Sequence, residues 1–300
     1  MFRRPIAILL AALFLACGAP GALAQELLSV QPAAKDFRLG ALAVSVLRDA
    51  SLSIPNDGSV FGLGVDPASV TRVLSEASAP ADKIRLDIDA LLIRMPGHVV
   101  LIDTGYGKPG RSVLRESLAL AGASSDEVTD ILITHAHPDH VGGLVDAQKR
   151  SAFPKAKIRM SAKEWAFMQG EADARAIAAV IKAQVETFEP GAAVLPGVTA
   201  LALSGHTPGH AGYEITSQGA SLIDIGDTVH SSIISLAKPD WTIKWDSNKQ
   251  EGARTRRQEL QRLAATHALI FAPHFPFPGV GRIEQAGDGF RFRPELPSKP

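Results

Sequence analysis

The sequence predicts a layered α/β protein, on three observations. Apolar strand-like runs and helix-periodic segments alternate from Leu39 to the C-terminus, with hairpin-like pairs among them, which favours layered α/β over separate all-α and all-β units. Several of the strand-like runs end in residues that bind metals. The chain has 300 residues, 46% hydrophobic and 21% charged, enough for a sizeable core, and shows no repeat, low-complexity tract or internal linker, so one domain is the simpler organisation.

Taken in order, Gln31 to Asp36 reads as a mobile lead-in and Leu39 to Leu47 as a strand. Ser51 to Ala81, rich in Ser, Pro, Gly and Asp, reads mostly as loop with a short helix around Ala68 to Ser75. Ile84 to Met95 and His98 to Ile102 are strands joined by the turn dipeptide Pro96-Gly97. Helical spacing covers Val113 to Ala121, Gly122 stops it, and Asp130 to Thr134 is the next strand. A strand at Lys157 to Met160 precedes Ser161-Ala162-Lys163-Glu164, a capping-box pattern opening a helix through Met168. A further helix is expected over Ala172 to Phe188. Strands follow at Val198 to Leu203, Gly212 to Thr216 and Ser221 to Ile225. Asp246 is placed to cap a polar helix running toward Thr266. Ala268 to Ala272 reads as a buried strand, and short strands near Arg282 to Glu284 and Phe290 to Arg293 close the chain.

Arg3 and Arg4, an apolar run from Ile6 to Ala16 and the small-x-small triplet Ala22-Leu23-Ala24 form the pattern of a cleavable secretory leader over residues 1–24. Its apolar part is short for a membrane span, and Gly18, Pro20 and Gly21 break it. Cys17, the single cysteine, lies inside the leader; Phe14-Leu15 fits a lipid-attachment signal poorly. The mature domain, residues 25–300, is therefore expected to be periplasmic or secreted, without disulfide or thiolate ligand. A formal net charge of zero with no long basic run argues against a nucleic-acid partner.

Thr134-His135-Ala136-His137-Pro138-Asp139-His140 places three of the nine histidines and a carboxylate directly after a strand. Neutral imidazoles and carboxylates are ligands for Zn²⁺ and similar ions, and this spacing is hard to explain as a solvated loop. Ser204-Gly205-His206-Thr207-Pro208-Gly209-His210, Gly226-Asp227-Thr228 and His274 repeat the theme at later strand ends. Each alone is weak. Together they supply ligands enough for two ions.

With Asp103-Thr104-Gly105 added, this succession resembles the metallo-β-lactamase superfamily from about Leu39 onward, and the tail from Ala272 to Phe292 is similar to the methyl parathion hydrolase branch. The resemblance implies a four-layer αβ/βα sandwich, two mixed sheets face to face with helices outside. It implies one ion on His135, His137 and His206, a second on Asp139, His140 and His274, and Asp227 bridging both. Zn²⁺ suits this all N/O set, with Fe, Mn or Co also compatible.

A hydroxide bridging two such ions is the expected nucleophile, with Asp139 orienting it or passing a proton to the leaving group. Asp103 is expected to orient a ligand imidazole, and His210 to make a structural hydrogen bond. His98 reads as a turn residue and His267 as a strand start, while His230, just past Asp227, either faces the site or takes a plain loop position. Trp165, Phe275 and Phe277, with Trp241 and Trp245, are candidate aromatic walls for an apolar substrate.

The expected activity is hydrolysis of a small neutral ester, lactone or organophosphate triester. A β-lactamase is the first rival, although those enzymes typically lack the bridging aspartate that Asp227 supplies. Glyoxalase-like, nuclease and flavodiiron readings fit the leader, the neutral charge and the ligand cluster less well. A non-catalytic metal-binding protein on the same fold is the alternative of a different class. The expected partner is a small-molecule substrate, with no stable membrane insertion after leader removal; a homodimer is left open.

Overall fold

The computed structural model describes residues 25–297, so the leader, Cys17 and the expected cleavage after Ala24 lie outside the described residues. Within this span no helix is long and apolar enough to cross a membrane.

The first sheet comprises β1 (Glu26–Leu28), β2 (Ala34–Leu39), β3 (Leu42–Pro55), β4 (Lys83–Met95), β5 (His98–Ile102), β6 (Asp130–Leu132), β7 (Lys157–Ser161) and β8 (Val185–Phe188). Its order is β1-β3-β4-β5-β6-β7-β8, with β2 also on β3; pairing is antiparallel from β1 to β5 and parallel from β5 to β8. The second sheet runs β15-β14-β13-β12-β11-β10-β9, from β9 (Ala193–Leu195), β10 (Val198–Ala202), β11 (Ala211–Ser217), β12 (Ala220–Asp224), β13 (Leu269–Phe271), β14 (Val280–Ala286) and β15 (Gly289–Pro294). Only β12 and β13 pair in parallel. The helices are α1 (Pro67–Glu76), α2 (Leu114–Leu120), α3 (Pro138–Val141), α4 (Ala162–Gly170), α5 (Arg175–Ile181), α6 (Ile234–Ala237) and α7 (Lys249–Thr266).

Strand periodicity explains the layering. Along β4, Leu91 and Ile93 meet Tyr213, Ile215 and Phe271 of the other sheet, while Ala90 and Leu92 meet Leu114, Leu118, Met168 and Ile181 on the outer helices. Both faces of the strand are covered, so it reads as a continuous apolar run. On the far side, Leu260 and Leu263 of α7 cover Ile223, Ile270 and Ile283. The result is the four-layer αβ/βα sandwich, two mixed sheets with helices outside.

Four local expectations are corrected. The lead-in is strand: β2 folds back on β3 through Gly40-Ala41, and β3 continues to Pro55 through residues read as loop. The helix expected to Phe188 ends at Ile181; Val185–Phe188 instead forms β8, whose parallel pairing with β7 overrides local periodicity. Asp246 does not cap α7, because Asn248 does, its side chain accepting from the Glu251 amide. His267 is not a strand start; it ends α7 in the left-handed conformation with φ 50°.

Candidate metal centre

Strand direction gathers the donors at one edge. β10 and β12 are both antiparallel to β11, and β13 is parallel to β12, so the loops bearing His206, Asp227 and His274 leave the same edge of the second sheet. β6 delivers His135 and His137 from the first sheet, and the single turn α3 carries Asp139 and His140.

His135 Nε2, His137 Nδ1 and His206 Nε2 lie 2.8–3.2 Å from one another. Asp227 Oδ2 is 3.3 Å from His206 Nε2 and 3.1 Å from His274 Nε2, while its Oδ1 is 3.2 Å from His140 Nε2. Asp139 Oδ2 stands 3.6 Å from His274 Nε2 and 3.8 Å from His140 Nε2. The donors form two groups, His135, His137, His206 and Asp227 in one, Asp139, His140 and His274 in the other, and Asp227 reaches both.

The outer ring nitrogens fix the orientation of the inner ones. His140 Nδ1 lies 2.7 Å from Asp103 Oδ2, His206 Nδ1 3.0 Å from Asp246 Oδ1, and His274 Nδ1 2.8 Å from the Asp87 carbonyl. An Nδ1–H donated outward leaves each Nε2 lone pair facing inward, as a ligand requires. Asp103 also accepts from the Thr134 amide and hydroxyl, locking the start of the histidine loop to the end of β5. His210 makes a structural pair of bonds: Nδ1 lies 2.8 Å from the Leu203 carbonyl and Nε2 accepts the Asp227 amide. Gly226 has φ 46° and a Cβ there would strike the His210 ring, so glycine is what lets Asp227 approach.

Electrostatics centre on Asp227. Burial alone would raise its pKa, but His274, His140 and His135 hold the carboxyl well below its usual range. Burial depresses His135 strongly and His137 to about 2; for His206, burial is outweighed by Asp227 and Asp246, which draw it up to about 9. His140 Nε2 and Asp227 Oδ1 are buried without a hydrogen-bond partner. Converging imidazoles, two of them nearly impossible to protonate, around an ionised carboxylate with unpartnered atoms make a donor set that fits divalent cations.

Two contributors escape the sequence reading, and for a third, His230, the sequence leaves open whether it faces the site or takes a plain loop position. Glu164, read as a capping-box residue, is fully buried; its carboxylate accepts from the Ala136 amide, the Thr207 hydroxyl and the Gly209 amide, tying the two histidine loops together. Only the Ser161 half of the box forms, accepting from the Glu164 amide. Asp246 joins His206 to the buried Arg256, whose guanidinium also donates to the Thr228, Pro239 and Trp241 carbonyls. His230, placed three residues past Asp227, lies 3.2 Å from Asp227 Oδ2 with both ring nitrogens unpartnered. Its offset from Asp227 was the one signal available.

A cavity of about 220 Å³ opens over the donors. Its lining includes the polar residues His137, Asp139, His206, Asp227, His230 and His274 and the apolar or aromatic residues Leu52, Leu86, Ile88, Tyr106 and Trp245. Among the described residues, no lysine or arginine lines it. Three aromatic candidates are elsewhere. Trp165 packs on the outer-helix core, Phe275 is buried against Phe292, and Phe277 packs between the sheets under the Arg48 guanidinium. Large apolar side chains near a site are taken up by the core first. Trp241 also packs into a core cluster, and His98 is tied to Asp130 at 2.7 Å.

Two packed mixed sheets carrying such a donor set at their shared edge define a metal-dependent hydrolase of the αβ/βα type. A family model described as the metallo-beta-lactamase superfamily matches residues 85–283, and the chain belongs to that superfamily. Among solved structures, AidC, described as a dizinc quorum-quenching lactonase in complex with a product, is similar at a TM-score of 0.84 and 28% identity, covering 88% of this chain and 98% of that one. AbOPH, described as a hydrolase in the beta lactamase superfamily, shares the fold at a TM-score of 0.80 and 24% identity over 90% of this chain and 99% of that one. The uncharacterized protein YobT of Bacillus subtilis (strain 168) is 22% identical over 182 residues, 56% of this chain and 76% of its own length.

Proposed function

We propose that the chain is a binuclear metallohydrolase of small neutral esters or lactones, with phosphotriesters as further substrates of the same centre. The observation that carries this reading is the pair of donor groups sharing Asp227 at the floor of a cavity without cationic side chains. His135, His137 and His206 would hold one ion, Asp139, His140 and His274 the other, with Asp227 common to both. Bound ions supply an acidified water and Lewis acidity toward a carbonyl or phosphoryl oxygen.

The chain's own groups do the rest. Asp139 is the more exposed carboxylate, its side chain 19% accessible against 3% for Asp227, and it faces the cavity. With Oδ2 turned to the donor group, its other carboxylate oxygen would be left to take a proton from water and return it to the leaving oxygen. Burial pulls His230 down to about 4, so its ring is neutral at pH 7 and offers one N–H to a substrate oxygen. Leu52, Leu86, Ile88 and Trp245 exclude water and accept an apolar substituent.

The similarity to a dizinc lactonase supports lactones and Zn²⁺ in particular, and the likeness of the tail to methyl parathion hydrolases supports phosphotriesters. We further propose a single domain over residues 25–300, exported by the leader over residues 1–24; N-terminal sequencing of the exported protein tests this.

The functional test sets metal-quantified enzyme against lactones, aryl esters, phosphotriesters and a chromogenic β-lactam. Lactone or ester turnover is expected. No turnover of any of them with two ions bound overturns the reading.

A further inference from the structure

We infer that Gln25, the residue preceding strand β1, sets the length of apolar substituent the cavity admits; this rests on the ester and lactone reading above. The cavity's apolar wall is a shelf crossing three strands. Leu52 of β3 is the register partner of Leu86 on β4, and Ile88 follows Leu86 by two residues. On the other side of β3, Leu27 of β1 is the partner of Leu52. Directly opposed residues, and residues two apart on one strand, present side chains to the same face. Gln25, two residues before Leu27, therefore continues the face formed by Leu27, Leu52, Leu86 and Ile88, and it lines the cavity.

Gln25 is the polar rim of an otherwise apolar row. A substrate whose reacting carbonyl sits over the donors can extend its tail along the shelf only as far as Gln25 allows. The strand that follows it has three residues of ladder, Glu26 to Leu28 against Ser53 to Ser51. Arg111 adds an outer tie, donating to the Leu27 carbonyl at 3.1 Å and the Ser29 hydroxyl at 3.4 Å. Arg111 belongs to the loop that also brings Tyr106 to the cavity, so the rim and one side wall are fastened to each other. The substrate class this geometry selects is a neutral ester or lactone bearing an unbranched apolar chain whose length is read at residue 25.

The test uses Gln25→Trp and Gln25→Leu in the purified protein with p-nitrophenyl esters from butyrate to decanoate. Gln25 is exposed, so both variants should melt with the parent. The KM for decanoate relative to butyrate should rise about tenfold in Gln25→Trp and fall severalfold in Gln25→Leu. A chain-length ratio that moves in neither variant overturns the proposal. Binding of an unreactive N-decyl amide, read by isothermal titration calorimetry, should weaken in Gln25→Trp and tighten in Gln25→Leu. If the enzyme turns over none of these esters, the hydrolase reading is judged by the wider substrate panel above, and the binding titration still decides the role of Gln25; unchanged amide affinity in both variants overturns it.

Discussion

The imidazole of His206 and the carboxylate of Asp246 face each other at 3.0 Å, forty residues apart in sequence, with Arg256 2.7 Å from the other oxygen of the same carboxylate. Both charged partners are fully buried. One inner donor is thus oriented through an ion pair anchored on α7.

Replacing Asp246 by Ala should have two separable consequences. Losing the acceptor that orients a ligand histidine should weaken metal affinity about 10–100-fold, read by chelator competition. Leaving the Arg256 charge buried and unpaired should cost about 3–5 kcal/mol, read by urea denaturation of the metal-free protein. Unchanged affinity would remove Asp246 from the site.

Asp227→Ala should abolish binuclear loading, because this carboxylate alone reaches both donor groups. Elemental analysis should find at most one ion per chain. Two tightly held ions in that variant would remove the shared-ligand assignment.

Glu164→Gln tests the tie between the two histidine loops. Its carboxylate accepts three hydrogen bonds, and an amide nitrogen in place of either oxygen would oppose a donor. The expected loss is about 1–3 kcal/mol, with a parallel fall in metal affinity. A variant as stable as the parent would show that the loops hold their spacing without Glu164.

Asp224 predicts a pH dependence. Burial, reinforced by Asp103, raises its pKa from 3.8 to about 8. Between those values the folded state binds a proton that the unfolded state has released, so stability falls as pH rises from about 4 to about 8. Asp224→Asn should flatten that part of the profile. Denaturation at pH 5 and pH 9 should show the variant losing less stability than the parent over the interval.

Stripping the ions by dialysis against a chelator should lower the melting temperature, since ligands that bind only the native state stabilise by mass action. Adding Zn²⁺ back should restore it.

How much was legible follows the range of the interactions involved. The histidine cluster could be read because ligand chemistry fixes residue type and spacing within one loop. β4 and β5 could be read because strands buried on both faces form long apolar runs. β8 could not, since Val185–Phe188 becomes a strand only by pairing with β7, more than twenty residues earlier. Glu164 and Asp246 each offered a convincing local role, a helix cap, and the bonds that place them at the site are made across the fold. Phe275 and Phe277 failed for the converse reason: proximity in sequence to His274 says nothing of which side of a sheet a ring enters, and Trp165, placed by resemblance to a family's aromatic wall, packs instead on the outer-helix core.

The donors are divided between the two halves of the sandwich. His135, His137, Asp139 and His140 leave the first sheet, whereas His206, Asp227 and His274 leave the second. An ion held by donors from both sheets would therefore be a cross-link between halves that also meet through apolar packing and through hydrogen bonds such as those of His274 with Asp87 and Glu164 with Thr207. In a domain without cysteine, such a link does the work of a disulfide. Pulling the sheets apart would then require giving up any bound ions as well, so that the two halves would come undone together and cation supply would become a condition of the fold's durability.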